Sequence, residues 1–193
     1  MAEPGGTVLR AGMLLVATPR LADPNFERSV VLVLDHDADG TLGVVLNRPS
    51  PVPVGDVLHD WDDHVAEPGV LFHGGPVATD SALAVAAIPP GRNPSDDPVG
   101  FRRLFGDTGI VDLDTPTELL DDAIARMRIF AGYAGWGEDQ LAAEIEEGSW
   151  YVVPVESGDV FGDSPEELWA RVLRRQPGEL AWVSTRPADP TMN

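Results

Sequence analysis

Asn47-Arg48-Pro49 and His73-Gly74-Gly75-Pro76 are the stretches of this chain whose residue types and spacing suggest chemistry. Arginine is a forked cationic donor suited to an anion or carboxylate, and the amide beside it can serve a further oxygen. The ordinary alternative is that Arg48 pairs with a neighbouring carboxylate such as Asp35 or Asp56 while Asn47 satisfies a turn. His73-Gly74-Gly75 is similar to the His-Gly-Gly loops of esterases, where backbone amides point at a developing negative oxygen. The nucleophile is missing, because no Gly-x-Ser-x-Gly elbow occurs, and a double glycine before proline is also ordinary tight-turn composition.

Weaker constellations read as local structure. Asp35-His36-Asp37-Ala38-Asp39-Gly40 matches the first half of a calcium loop, but its twelfth position is Leu46 where a bidentate glutamate is needed, so it reads as a hairpin turn. His59-Asp60-Trp61-Asp62-Asp63-His64 carries potential zinc ligands, yet histidines five apart do not share a helical face, and an acidic turn fits better. Asp107-Thr108-Gly109 is similar to the aspartic-protease tripeptide but occurs once, and the chemistry needs two carboxylates sharing a proton. Glu144, Glu146 and Glu147 read as a solvated helix face, and Ser29, Ser81 and Ser149 have no histidine assigned to them.

Composition removes whole classes of mechanism. All thirteen basic residues are arginine, which excludes Schiff-base and amine-nucleophile chemistry, and the absence of cysteine excludes disulfides, thiol nucleophiles and thiolate metal sites. A net charge of −19 and a pI near 4.3 repel nucleic acid, whose binders present a basic face. Met1 to Gly6 lacks the basic start and apolar core of a signal peptide, and no apolar run reaches membrane-spanning length. The expectation is a cytoplasmic protein with no metal, no cofactor and no membrane contact.

The elements that must position Asn47, Arg48 and His73 are mostly strands. A single domain over 1–193 is expected, with a polar leader (1–11) and a flexible tail (186–193). Gly12 to Ala17 is a continuous apolar run, read as a buried central strand. Ser29 to Leu34 and Thr41 to Leu46 form a hairpin, stopped by Pro49, Pro51 and Pro53. Strands follow at 70–73, 82–88, 110–113, 126–134, 150–155 and 180–184. Helices are expected from Thr115-Pro116 through Ile124, over 138–147, and after Ser164-Pro165-Glu166-Glu167, which combines an N-cap serine with a capping-box glutamate. The proline-rich stretch from Ile88 to Gly100 reads as a loop with mobility or a binding role.

Phe130-Ala131-Gly132-Tyr133-Ala134-Gly135-Trp136-Gly137, closing at Gly148-Ser149-Trp150-Tyr151, places glycines and aromatics at a strand-to-helix junction. The glycines lack dinucleotide spacing, and Glu138 and Asp139 compete for the free amides of the helix start, so close packing around Trp136 is expected instead of a phosphate site. Together with Phe26 to Val31, Gly43 to Pro49 and His73 to Val77, this stretch resembles the YqgE/AlgH family of bacterial proteins. The four motifs cover most of residues 12 to 154. The resemblance implies an α+β (mixed α/β) domain, a branched mixed β-sheet with a small barrel-like portion surrounded by helices. It also brings the label of transcriptional regulator.

The leading functional expectation is a regulatory domain that binds a small molecule or a protein partner without touching DNA directly. The alternative is an enzyme of unknown reaction, a hydrolase among the candidates, with a pocket built from Asn47, Arg48, His73, Gly74, Gly75, Tyr133 and Trp136. A monomer or homodimer fits either reading.

Overall fold

The computed structural model describes residues 8–187, so residues 1–7 of the expected leader and 188–193 of the expected tail lie outside the described residues. The apolar run after Gly12 becomes β1 (Met13–Ala17), buried throughout. Strand alternation sends Leu14 and Val16 to one core cluster and Met13, Leu15 and Ala17 to another. In β2 (Val30–Asp37), Val30, Leu32 and Leu34 join the first cluster while Val31 and Val33 join the second. Both faces are covered as far as Leu34, so every position up to there is apolar, and Asp35, His36 and Asp37 continue β2 beyond that cover, exposed. The expected central placement is corrected: β1 lies between the edge strand β10 (Trp150–Pro154) and β2, one face packed in a cluster with Leu168, Trp169 and Val172 and the other in a cluster with Trp136, Leu141 and Trp150.

Strand β3 (Gly40–Val45) completes the hairpin. At the turn, Asp37 Oδ1 accepts the Asp39 and Gly40 amides at 2.8 and 3.2 Å, so the calcium-like loop serves as a hairpin cap. The prolines thought to end the sheet instead form β4 (Pro49–Pro53), which pairs with β5 (Val70–His73) alone. Residues without an N–H fit a sheet at such a margin.

Strand β6 (Val77–Ala87) starts five residues earlier than its apolar pattern suggested, because residues 77–82 are all exposed. Phe101–Phe105, assigned to no element by the sequence, forms β7 beside β8 (Thr108–Val111). Strand β9 (Arg126–Gly137) positions the site. Its end pairs antiparallel with β3, whereas its beginning pairs antiparallel with β6 and parallel with β5. One long strand thereby serves two branches, and the sheet, ordered β10-β1-β2-β3-β9-β6-β8-β7, curls into a half-barrel.

The mixed α+β expectation matches, but helices do not surround the sheet. The described α-helices are α1 (Gln140–Glu146), α2 (Leu168–Arg174) and α3 (Glu179–Val183). The expected helix after Thr115-Pro116 shrinks to a 3-10 turn (Thr117–Leu119), since Leu120 is buried, Leu119 is exposed and Asp121-Asp122 break the apolar face. The expected strand 180–184 is α3. Alternation would bury Leu180, Trp182 and Ser184 together, whereas the helix turns Leu180, Val183 and Ser184 inward and leaves Trp182 79% exposed. Ser164 does precede a helical segment, but its hydroxyl bonds Asp163 and makes no cap bond.

Candidate functional site

The cleft nearest the motif residues lies between the β1–β2 loop, the β3–β4 connection and the β5–β6 connection. It measures about 240 Å³ and is lined by Asn25, Val45, Arg48, His73, Gly75, Pro76 and Thr79. Arg48 is fixed by the chain it faces: Nη1 donates to the Pro24 carbonyl at 2.8 Å and Nη2 to the Glu27 carbonyl at 2.9 Å. The expected pairing with Asp35 or Asp56 is therefore corrected, because the β1–β2 loop presents carbonyls at the right reach. Burial pulls the Arg48 guanidinium below its usual value, while the charges of Glu27 and Asp23 push it back up. His73 donates its backbone N–H to the Arg48 carbonyl at 2.8 Å, which fixes the two residues side by side, with the imidazole exposed.

Asn47 stands behind this wall. Its Oδ1 accepts the Val30 amide and its Nδ2 donates to the Arg28 carbonyl, each at 2.9 Å, so it bridges the start of β2 to the end of β3. Arg28 holds φ of 53°, a left-handed conformation costly for a residue that carries a Cβ, and the Asn47 bond to its carbonyl helps keep it there. Gly74 also serves the frame. Its N–H donates to Ala131, its carbonyl accepts from Val45, and a methyl at its Cα would collide with the Gly132 carbonyl. Glycine is required on both sides of that approach, since Gly132 has φ of 73° and lies against the Gly75 and Val77 carbonyls.

The structure thus brings Arg48, His73 and Gly75 to one cleft and places Asn47 and Gly74 in its support. Tyr133 and Trp136 do not line it. Tyr133 is partly buried against the first core cluster, and Trp136 belongs to the second. In that cluster Phe26, Trp136 and Trp150 contact one another with centroids 5.6 to 5.8 Å apart.

Sequence reasoning missed two residues. Glu144, read as solvated, is half-buried, and its Oε2 accepts both the Trp136 and Trp150 indole N–H groups at 2.9 Å. Two tryptophans flanking one short helix were the available signal, since buried indoles need acceptors. Arg128 is 2% exposed and donates to the carbonyls of Val160, Glu67 and Gly162 at 2.7, 2.7 and 3.0 Å, with its guanidinium 4.3 Å from the Phe72 ring centre. Burial lowers its pKa to about 10, which still leaves it charged at neutrality.

The remaining constellations lie elsewhere. His64 Nε2 lies 2.7 Å from Asp121 Oδ1 in a groove also lined by Asp60, Asp63, Asp114 and Glu118, and no group of three or more His, Cys, Asp or Glu among the described residues could hold a metal ion. Asp107 pairs with Arg103 at 2.9 Å beside the β7–β8 turn. No described helix is long and apolar enough to cross a membrane.

Residues 14–181 match the model of a family described as AlgH-like. A UPF0301 protein of Streptomyces coelicolor is 62% identical over 182 residues, covering 94% of both chains. Another, from Mycobacterium bovis, is 43% identical over 98% of this chain and 94% of its own length. Among solved structures, a Corynebacterium diphtheriae protein superposes with a TM-score of 0.88 at 35% identity, covering 93% of this chain and 94% of its own. The solution structure of the AlgH protein from Pseudomonas aeruginosa matches with a TM-score of 0.68 at 25% identity, over 98% of this chain and all of its own.

Proposed function

The chain belongs to the AlgH-like family, and from that premise we propose that it is a regulatory binding domain whose Arg48–His73 cleft takes a small carboxylate-bearing ligand. The observation carrying this reading is the fixed guanidinium: two carbonyl bonds orient Arg48, so little side-chain entropy is lost when its remaining N–H groups meet an anion. His73 and Asn25 supply further polar contacts, and the lining contains no carboxylate to repel the ligand. The enzymatic alternative has less support, because Tyr133 and Trp136 stand apart from the cleft and Thr79 is its only hydroxyl. Any transcriptional effect would run through a partner or a metabolite, since a chain of net charge −19 repels DNA.

Amide NMR spectra recorded with malonate and with its neutral diamide test the reading. Malonate is expected to shift resonances of residues 25, 48 and 73–79 with a Kd of about 1 mM, worth about 4 kcal/mol, and His73→Ala is expected to weaken it. Equal shifts from the diamide, or none from malonate, would remove the cleft as an anion site.

A further inference from the structure

A second concavity of about 800 Å³ lies between the β2–β3 hairpin tip and α1, and it shares no residue with the Arg48–His73 cleft. Its floor is apolar, with Leu9 and Ile145 half-buried beside the buried Leu141, and its margin carries Asp37, Glu138 and Glu146. Among the described residues no ion pair engages these three carboxylates, and no arginine lines the groove. An apolar floor inside an unneutralised acidic margin is complementary to one kind of surface, in which apolar and basic residues alternate by face.

The backbone narrows the occupant further. At this end of the molecule Asp37 pairs with Gly40 and Gly40 with Gly137, so β2, β3 and β9 are committed to one another. A guest must therefore bind through side chains, as an amphipathic helix does in a groove, and not by adding a strand. Helix α1 spans about 10 Å at 1.5 Å per residue, enough to meet anchors on roughly two turns of a guest. Its orientation is set before binding, because Glu144 is bonded to both indoles and Gln140 Nε2 donates to the same carboxylate at 3.1 Å. Asp139, at φ of 58° with no side-chain cap bond, adds another carboxylate beside the groove.

We propose that the groove between the β2–β3 hairpin and α1 docks a basic amphipathic helix of a partner protein, seating its apolar face on Leu9 and Ile145 with its cations against Asp37, Glu138 and Glu146. The probe is a synthetic leucine–lysine peptide of about four helical turns, with a scrambled peptide of equal composition and a leucine–glutamate peptide as controls. Amide shifts in the 15N-labelled protein are expected to concentrate at residues 9, 36–41 and 137–146, for the patterned basic peptide alone. Ala142→Arg and, on the opposite wall, Ala38→Arg each place bulk and positive charge in the groove at exposed positions. Each is expected to weaken binding about tenfold or more while leaving the melting temperature unchanged, and Glu138→Gln with Glu146→Gln is expected to reduce the salt dependence of binding. Shifts spread evenly over the acidic surface, equal binding of the scrambled peptide, or indifference to both arginine variants would overturn the proposal. A wild-type dimer that Ala142→Arg splits would overturn it in favour of a second copy of this chain.

Discussion

Asn47 and Glu144 carry more of this structure than their surroundings suggest, each for the same reason: one side chain satisfies two groups that would otherwise be unpaired away from water. Replacing Asn47 with Ala strands the Val30 amide and frees the strained Arg28 backbone, so urea unfolding is expected to show a loss of about 2–3 kcal/mol. A loss no larger than that of an ordinary surface substitution would return Asn47 to the list of ligand contacts. Glu144→Leu leaves two indole N–H groups without acceptors, with an expected cost of about 2–4 kcal/mol and altered tryptophan fluorescence. Arg103 holds Asp97 through both carboxylate oxygens, and these hydrogen bonds keep the Asp97 carboxyl below the usual carboxylate range. The native state therefore holds fewer protons than the unfolded chain between the two Asp97 values, and stability rises with pH across that window. The melting-temperature advantage of wild type over Asp97→Asn is expected to be fully present above about pH 4 and to vanish as the pH falls through the lowered value. A pH-independent difference would assign the effect to packing.

At the level of elements, close backbone approach at the β5–β6 turn matters more than any side chain there. Gly74→Ala drives a methyl into the Gly132 carbonyl, and about 3 kcal/mol of destabilisation is expected in denaturant melts. If the variant melted like wild type, the turn would be flexible enough to yield. The same elements show what a reader of the sequence can and cannot see. Leu14 to Val16 and Val30 to Leu34 announce strands because burial on both faces leaves no polar position in them. The Asn47-Arg48 and His73-Gly74 motifs do meet in space, but which of their residues face the cleft depends on carbonyls of Pro24, Glu27 and Ala131 that no side-chain pattern records. Trp136 was misplaced for a related reason: a glycine-rich stretch inside β9 presents its residues to opposite faces, so neighbours in a motif part company. Segment 180–184 reads as a strand by composition and becomes α3 because docking beside α2 buries Leu180 and Val183, a tertiary choice that local propensity does not contain.

For the whole molecule, thirty-two acidic residues set against thirteen arginines make self-repulsion the dominant long-range force. Adding salt near neutral pH is expected to raise the melting temperature as that repulsion is screened, and a fall would mean that the arginine pairs outweigh it. Duplex DNA is expected to leave the amide spectrum unchanged at physiological salt, and specific shifts there would reverse the charge argument. Against this acidic surface stands an enclosed cation, Arg128, which reaches from β9 to the loop before β5 and the loop after β10. All three of its acceptors are main-chain oxygens, and every amino acid supplies one of those. The demands of this clasp are therefore lopsided: position 128 calls for arginine's forked donor, which meets three carbonyls at once, while the exposed side chain at 67 takes no part in the bonds that close the joint.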